Sequence, residues 1–156
     1  MTEMGPVTPI AFDATDGTVS LRLPRPADVP LIVGARDDEF HRWLGRGAEN
    51  PSPTACIVVR DEVVGWVDYD HDLEHGWLDA SEVNVGYFVF PTQRRKGLAS
   101  AAVELLVRCL QDQTHYQTAS LLIDPLNVAS LGVARRCHFG FVGDLNGQLY
   151  FKRSLL

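Results

Sequence analysis

No stretch of this chain approaches the roughly 20 apolar residues that a membrane-spanning helix needs, and its N-terminus lacks a basic segment followed by an apolar one. The expectation is a cytoplasmic protein with no membrane attachment. Cysteine is scarce, with Cys56, Cys109 and Cys137 the only three in 156 residues. An odd number, two of them inside apolar strand and helix patterns, predicts reduced thiols rather than a disulfide framework. Metal-ligand spacing among cysteine and histidine is missing, as is the G-x-x-x-x-G-K-[ST] turn of phosphate-binding loops. Positive charge is short as well, with 14 Lys and Arg against 20 Asp and Glu and a formal net charge of −6. A general nucleic-acid binder would be basic. An acidic surface instead accords with a cationic acceptor such as an amine, or simply serves solubility.

What is present suits one globular domain over residues 1–156, with 46% hydrophobic and 22% charged residues. Residues 1–17, punctuated by Pro6, Pro9 and Gly17, form a loose lead-in. Residues 19–23 alternate as a first strand that Pro24 and Pro26 end, and two short helices are predicted over 28–35 and 37–44, the second capped by Asp37. Strands over 54–60 and 63–70 are joined by Asp61-Glu62 at hairpin spacing. Asp68, Asp70, His71, Asp72, Glu74 and His75 then gather at a strand end and loop. With no ligand motif, a solvated loop is a better reading of them than a metal centre.

The pivotal strand covers residues 81–90. Alternation places Val83, Val85, Tyr87 and Val89 on one face and Glu82, Asn84, Gly86, Phe88 and Phe90 on the other. Two polar groups and a glycine on one face suggest the floor of a ligand site. Pro91 stops the strand, and a helix starts behind Gly97. Leu98, Ala102, Leu105, Leu106 and Cys109 recur at helical spacing with further apolar residues beside them, so the helix should be buried. Only Ser100, Glu104, Arg108 and Gln111 are left to face water, with Glu104 and Arg108 spaced for an ion pair. At the helix entrance, Arg94, Arg95 and Lys96 crowd the positive end of the dipole. Gly97, Ala99 and Ser100 would let an anion reach the free backbone N–H groups, and a diphosphate fits that description; a solvated basic turn is the plainer alternative. Residues 118–123 form a partner strand ended by Asp124-Pro125. Asn127 opens the next helix as a good N-cap, and Asn146-Gly147 marks a closing hairpin.

The order strand, Pro91, Arg94-Arg95-Lys96-Gly97-Leu98-Ala99, buried helix resembles the acetyl-CoA signature R/Q-x-x-G-x-G/A of the GNAT family of N-acetyltransferases. Asn127-Val128-Ala129-Ser130 followed by Phe139 resembles the N-x-x-S…GF element of its ribosomal-protein-acetyltransferase-like branch. The resemblance runs from about residue 21 to 155, with its specific part in 82–139. It implies an α/β fold, a mixed, splayed β-sheet of about seven strands flanked by about four helices. It also implies acetyl-CoA as co-substrate, its pantetheine arm paired with backbone at Tyr87, Phe88 and Val89. Its diphosphate would sit at Arg94, Arg95, Lys96, Gly97, Leu98, Ala99 and Ser100, with Asn127 and Ser130 touching the arm. Phe40, His41 and Trp43 fall in the region that forms the acceptor site, although a short amphipathic helix normally buries Phe and Trp for packing. The resemblance allows a homodimer.

The implied reaction moves an acetyl group to a primary amine of a small molecule or protein N-terminus by direct attack. Alignment of the reactants can supply on the order of 7–11 kcal/mol of the barrier. An alkylamine titrates near about 10, so a carboxylate, directly or through water, should take its proton. Glu82, on the cleft strand, is the first choice and Asp68 the second. Asn84 stands where many relatives of this branch carry glutamate. Many relatives protonate the departing thiolate with a tyrosine seven residues after the asparagine, where this chain has Ala134. Water, Tyr87 or His138 would replace it, and His138 itself stands where a glycine is expected. The competing readings are an acyl-CoA-binding module without catalysis and a nucleotide-phosphate turn.

Overall fold

The computed structural model describes residues 12, 14–71 and 78–156. In chain order they form β1 (Ser20–Arg22), α1 (Asp28–Gly34), α2 (Asp38–Leu44), β2 (Ala55–Val59), β3 (Glu62–Asp70) and β4 (Glu82–Val89). A single 3-10 turn at Pro91–Gln93 leads to α3 (Leu98–Gln113), β5 (Thr118–Ile123), α4 (Val128–Arg136), β6 (Gly140–Leu145) and β7 (Gln148–Ser154). All seven strands join one sheet in the order β1-β2-β3-β4-β5-β7-β6. Every neighbouring pair is antiparallel except β4 and β5, because α3 carries the chain back over the sheet between them. The expected mixed sheet of seven strands with four helices is what the described residues build.

Its two faces are covered differently. Val83, Val85 and Val89 point to the side where α3 and α4 lie and share one cluster with Leu98, Leu105, Leu106, Ala134 and Phe139. Fully burying side chains of this size is worth about 1.5–3 kcal/mol each, so this face supplies most of the hydrophobic drive. Phe88 and Phe90 point the other way, into a smaller cluster with Ile32, Phe40 and Cys56 beneath α1 and α2. Gly65 on β3 permits the contact between the central strands, since a Cβ there would stand 2.3 Å from the Phe88 carbonyl oxygen.

Three local expectations change. The first hairpin turns one residue earlier than its spacing suggests: Val59 pairs with Glu62, and Arg60 and Asp61 occupy the turn with φ of 50° and 62°. The α3 stripe is not wholly in water. Glu104 is half-buried and pairs with Arg153 of β7 at 2.5 Å rather than with Arg108, because the last strand brings a guanidinium across the helix. The Ser100 hydroxyl is buried without a hydrogen-bond partner. The Asn146-Gly147 hairpin forms as expected, both residues left-handed. Residues Asp72, Glu74 and His75 of the acidic cluster, and most of the N-terminal lead-in, lie outside the described residues.

Candidate active site

The parallel ladder between β4 and β5 runs only from Glu82↔Thr118 to Asn84↔Ser120. Beyond it β4 continues along β3 as far as Val89, so its edge from residue 85 onward carries no ladder to β5. Backbone N–H and C=O groups in such an opening can receive an extended amide-containing arm as a strand would. Gly86, where an added Cβ would meet nothing within 4 Å, keeps one side of the opening clear. Tyr87 crosses the other side: its hydroxyl donates to the Ser130 hydroxyl on α4 at 2.7 Å. Burial pushes the Tyr87 phenol up to about 12, against the opposing pull of Ser130, so it stays protonated at neutral pH. Asn127 caps α4 by accepting from the Ser130 N–H at 3.2 Å, which is its structural role.

At the end of β4, Gly97 takes φ +74° as N-cap of α3 and offers no side chain to cap it. Nothing lies within 4 Å of where its Cβ would be. A 16-residue helix therefore starts with its leading N–H groups uncapped by any side chain, beside exposed Arg95 and Lys96. Such a helix start suits an anion. Arg94 behaves differently from its two neighbours. Its guanidinium forms a two-pronged bridge to Asp37 at 2.7 and 3.2 Å, reaches Glu39 at 2.6 Å and lies over the Phe88 ring. Asp37 in turn caps α2 through the Phe40 N–H. Arg94 thus ties the turn to the opposite helix layer instead of standing free at the helix entrance. That tie spans 57 residues of chain, and no local pattern announces it.

Between α1, α2, the loop after α2 and β3 lies a cavity of about 370 Å³. Ile32, Phe40, Leu44 and Trp66 make its walls, and Arg36 and Asp68 bring charge to it. Phe40 both packs in the small cluster and lines the cavity. His41 and Trp43 do not line it; the exposed His41 ring instead contacts the Gly45 carbonyl at the end of α2. Asp68 accepts from the Thr54 N–H at 3.1 Å and from the Thr54 hydroxyl. Burial, with Asp70 adding negative charge, outweighs those bonds and pushes its carboxyl above the usual carboxylate range. Because Asp68 pairs with Gly86 across β3 and β4, this carboxylate stands beside the opened strand.

Glu82, favoured by its place on the cleft strand, is 1% exposed and occupied on both oxygens. One meets the Lys152 ammonium at 3.0 Å and the other accepts from the Tyr150 hydroxyl. Both partners come from β7, whose position next to β5 is a tertiary fact without a sequence signature. Neighbouring Asn84 has a buried, unpartnered side-chain oxygen. His138 is exposed with φ 60° at the far end of α4, just past its C-cap, where left-handed backbone favours glycine. The three cysteines are free and buried; burial holds Cys56 at about 12 and Cys137 at about 11, too high to supply a thiolate.

The opened edge of β4 and the glycine-started helix at its end leave room for an extended ligand with an anionic tip, with a charged cavity on the other side of the strand. The model of the acetyltransferase (GNAT) domain matches residues 34–140, and the chain belongs to the GNAT family of acetyltransferases, which use acetyl-CoA as co-substrate. No curated protein matches it. A GNAT-family acetyltransferase from Bacillus anthracis superposes with a TM-score of 0.76 at 13% identity, covering 92% of this chain and 98% of that one. The aminoglycoside acetyltransferase AAC(6')-Ib, in complex with coenzyme A and kanamycin, gives 0.73 at 18% identity, covering 88% and 95%. The ribosomal L7/L12 α-N-protein acetyltransferase RimL, in complex with coenzyme A, gives 0.72 at 17%, covering 96% of each.

Proposed function

We propose that the protein transfers the acetyl group of acetyl-CoA to a primary amine seated in the α1–α2 cavity, by direct attack, with Asp68 receiving the amine proton. The observation that carries this reading is the position of Asp68, a half-buried carboxylate lining a cavity and paired in register with Gly86 on the opened strand. The carrier supplies the activated carbonyl. The chain's own part is to hold it: backbone of Tyr87, Phe88 and Val89 along the arm, and the N–H groups of Leu98, Ala99 and Ser100 behind Gly97, with Arg95 and Lys96, at the diphosphate. Asn127 and Ser130 flank the arm from α4.

An amine that binds as an ammonium first gives one proton up to solvent; then, as the neutral nitrogen bonds to the carbonyl carbon and the C–S bond breaks, one proton leaves the nitrogen and one is needed at sulfur. Asp68 takes the proton leaving the neutral nitrogen; its raised affinity for protons brings it closer to the amine. Tyr87, neutral and fixed by Ser130 at the opening, is the protein donor for the sulfur in a chain with Ala134 in place of an α4 tyrosine. Glu82 holds β7 to β4 through Lys152 and Tyr150, so its part is positional, and Asn84 beside it offers an acceptor to the cleft. Cytoplasmic residence agrees with three free thiols and with the lack, among the described residues, of a helix long and apolar enough to cross a membrane.

Calorimetric titration with acetyl-CoA, CoA and ATP, on wild type and Gly97→Glu, tests the carrier site. Binding of the two CoA species that the carboxylate abolishes is the expected outcome. ATP binding without CoA binding would reverse it. The missing α4 tyrosine also suits an acyl-CoA-binding module without catalysis, and release of CoA in the presence of any amine separates the two.

A further inference from the structure

We propose that the acceptor is a zwitterion, a free amino acid with an apolar side chain, whose ammonium is read by Asp68 and whose carboxylate is read by Arg36. This rests on the acetyl-transfer reading and names the substrate class of that cavity. Among the described residues that line it, Arg36 and Asp68 are the only charged ones. One anion and one cation in a small, partly open apolar pocket complement a molecule carrying both charges, whereas a plain amine leaves the guanidinium unmatched.

Arg36 is held in place with donors to spare. Its Nη2 donates to the Ala48 carbonyl at 2.8 Å and the guanidinium lies over the Phe40 ring, 5.0 Å from its centre. Gly47 closes the other side: a Cβ there would fall 2.6 Å from the guanidinium carbon. The Nε–H is buried without a partner. A guanidinium has five N–H donors and no acceptor, and a carboxylate is the group that satisfies two of them together. The fixed head makes such recognition cheap in entropy, because the side chain is already ordered before the ligand arrives.

The remaining lining sets the rest of the ligand. Ile32, Leu44 and Trp66 present apolar surface, suited to an aliphatic or aromatic side chain. About 370 Å³ lies at the small end of ligand pockets. Polycations such as kanamycin, which the aminoglycoside relative holds, would need several carboxylates here and meet one, together with a guanidinium that repels them. A peptide N-terminus places a neutral amide where the free amino acid places its carboxylate.

The test is CoA release from acetyl-CoA with leucine, methionine, phenylalanine and tryptophan, each beside its own amide, with kanamycin and a plain alkylamine as comparisons. A charge-assisted pair removed by amidation should lower kcat/KM by about 10- to 100-fold. Arg36→Met keeps the stem over Phe40, and in it the ratio of acid to amide should collapse toward one; Arg36→Lys should restore part of it. Unchanged acetyl-CoA binding by calorimetry verifies that the variants fold. Amides equal to acids, no turnover of any of the four amino acids, or an unchanged ratio in Arg36→Met overturns the zwitterion proposal. Turnover of kanamycin or the alkylamine in that case leaves acetyl transfer standing, whereas loss of CoA binding in the wild type strikes the acetyl-transfer reading itself.

Discussion

On the side of the sheet covered by α3 and α4, buried residues are almost all apolar and form one continuous cluster. On the side covered by α1 and α2, a small apolar cluster is interrupted by a cavity and by compensated charges: Asp28 with Arg22, Asp37 with Arg94, Glu82 with Lys152. The first face can lose a methylene and still know where its neighbours are. The second depends on partners, because a buried charge without one costs far more than a buried methyl group gains. The larger apolar cluster lies on one side of the sheet, and the cavity lies on the other.

Substitutions should separate the two faces. Asp68→Asn should lower kcat by about 10²- to 10⁴-fold, equivalent to about 3–5 kcal/mol of barrier, with acetyl-CoA binding retained; steady-state assays with calorimetry would read both. In the wild type, the rising limb of kcat/KM against pH should lie above the ordinary carboxylate range, since burial raises Asp68, and should vanish in the variant. A wild-type rate with Asn at 68 would move the base elsewhere and blur the contrast.

Leu106→Ala, a fully buried change on the α3 face, should cost about 2–5 kcal/mol in urea unfolding. The acceptor face should keep its discrimination between substrates. If specificity changed as much as stability, the faces would be less independent than their packing implies.

Asp28 gives an acid signature on the second face. Arg22 and the Arg25 N–H hold its carboxyl at about 2 against an ordinary 3.8, overcoming burial. A lowered carboxylate stabilises the fold above the unfolded value and loses that contribution as pH falls toward the folded one. About 2 kcal/mol should therefore be lost between roughly pH 4 and pH 2. Melting temperature across that interval should drop less steeply in Asp28→Asn, which starts from a lower plateau. Smallest is His138→Gly at the end of α4, where relief of left-handed strain should raise stability by about 1 kcal/mol and leave turnover as it was.

Periodic features were legible in the chain. Alternation sorted Val83, Val85 and Val89 from Phe88 and Phe90, and the helical recurrence of apolar residues from Leu98 to Leu110 marked α3 as buried. Caps at Asp37, Gly97 and Asn127 and the Asn146-Gly147 turn were also readable, because each works over three or four residues. The cavity under α1 and α2 was only half visible. Phe40 and Asp68 were singled out, but Arg36 carried no signal, since its meaning depends on Gly47, Ala48 and the opposite strand. Glu82 looked free for the same reason: Lys152 and Tyr150 lie about seventy residues away in sequence and arrive only when β7 pairs with β5.

The sequence by itself determined the elements, the buried face of α3, the glycine start of that helix and the family. Backbone conformation and amphipathic period are set by near neighbours, and these decide such features. Which carboxylate is taken up by partners and which lines a cavity was decided by the tertiary structure. The free energy of a charge depends on what surrounds it, and folding surrounded Glu82 with partners while it gave Asp68 a cavity.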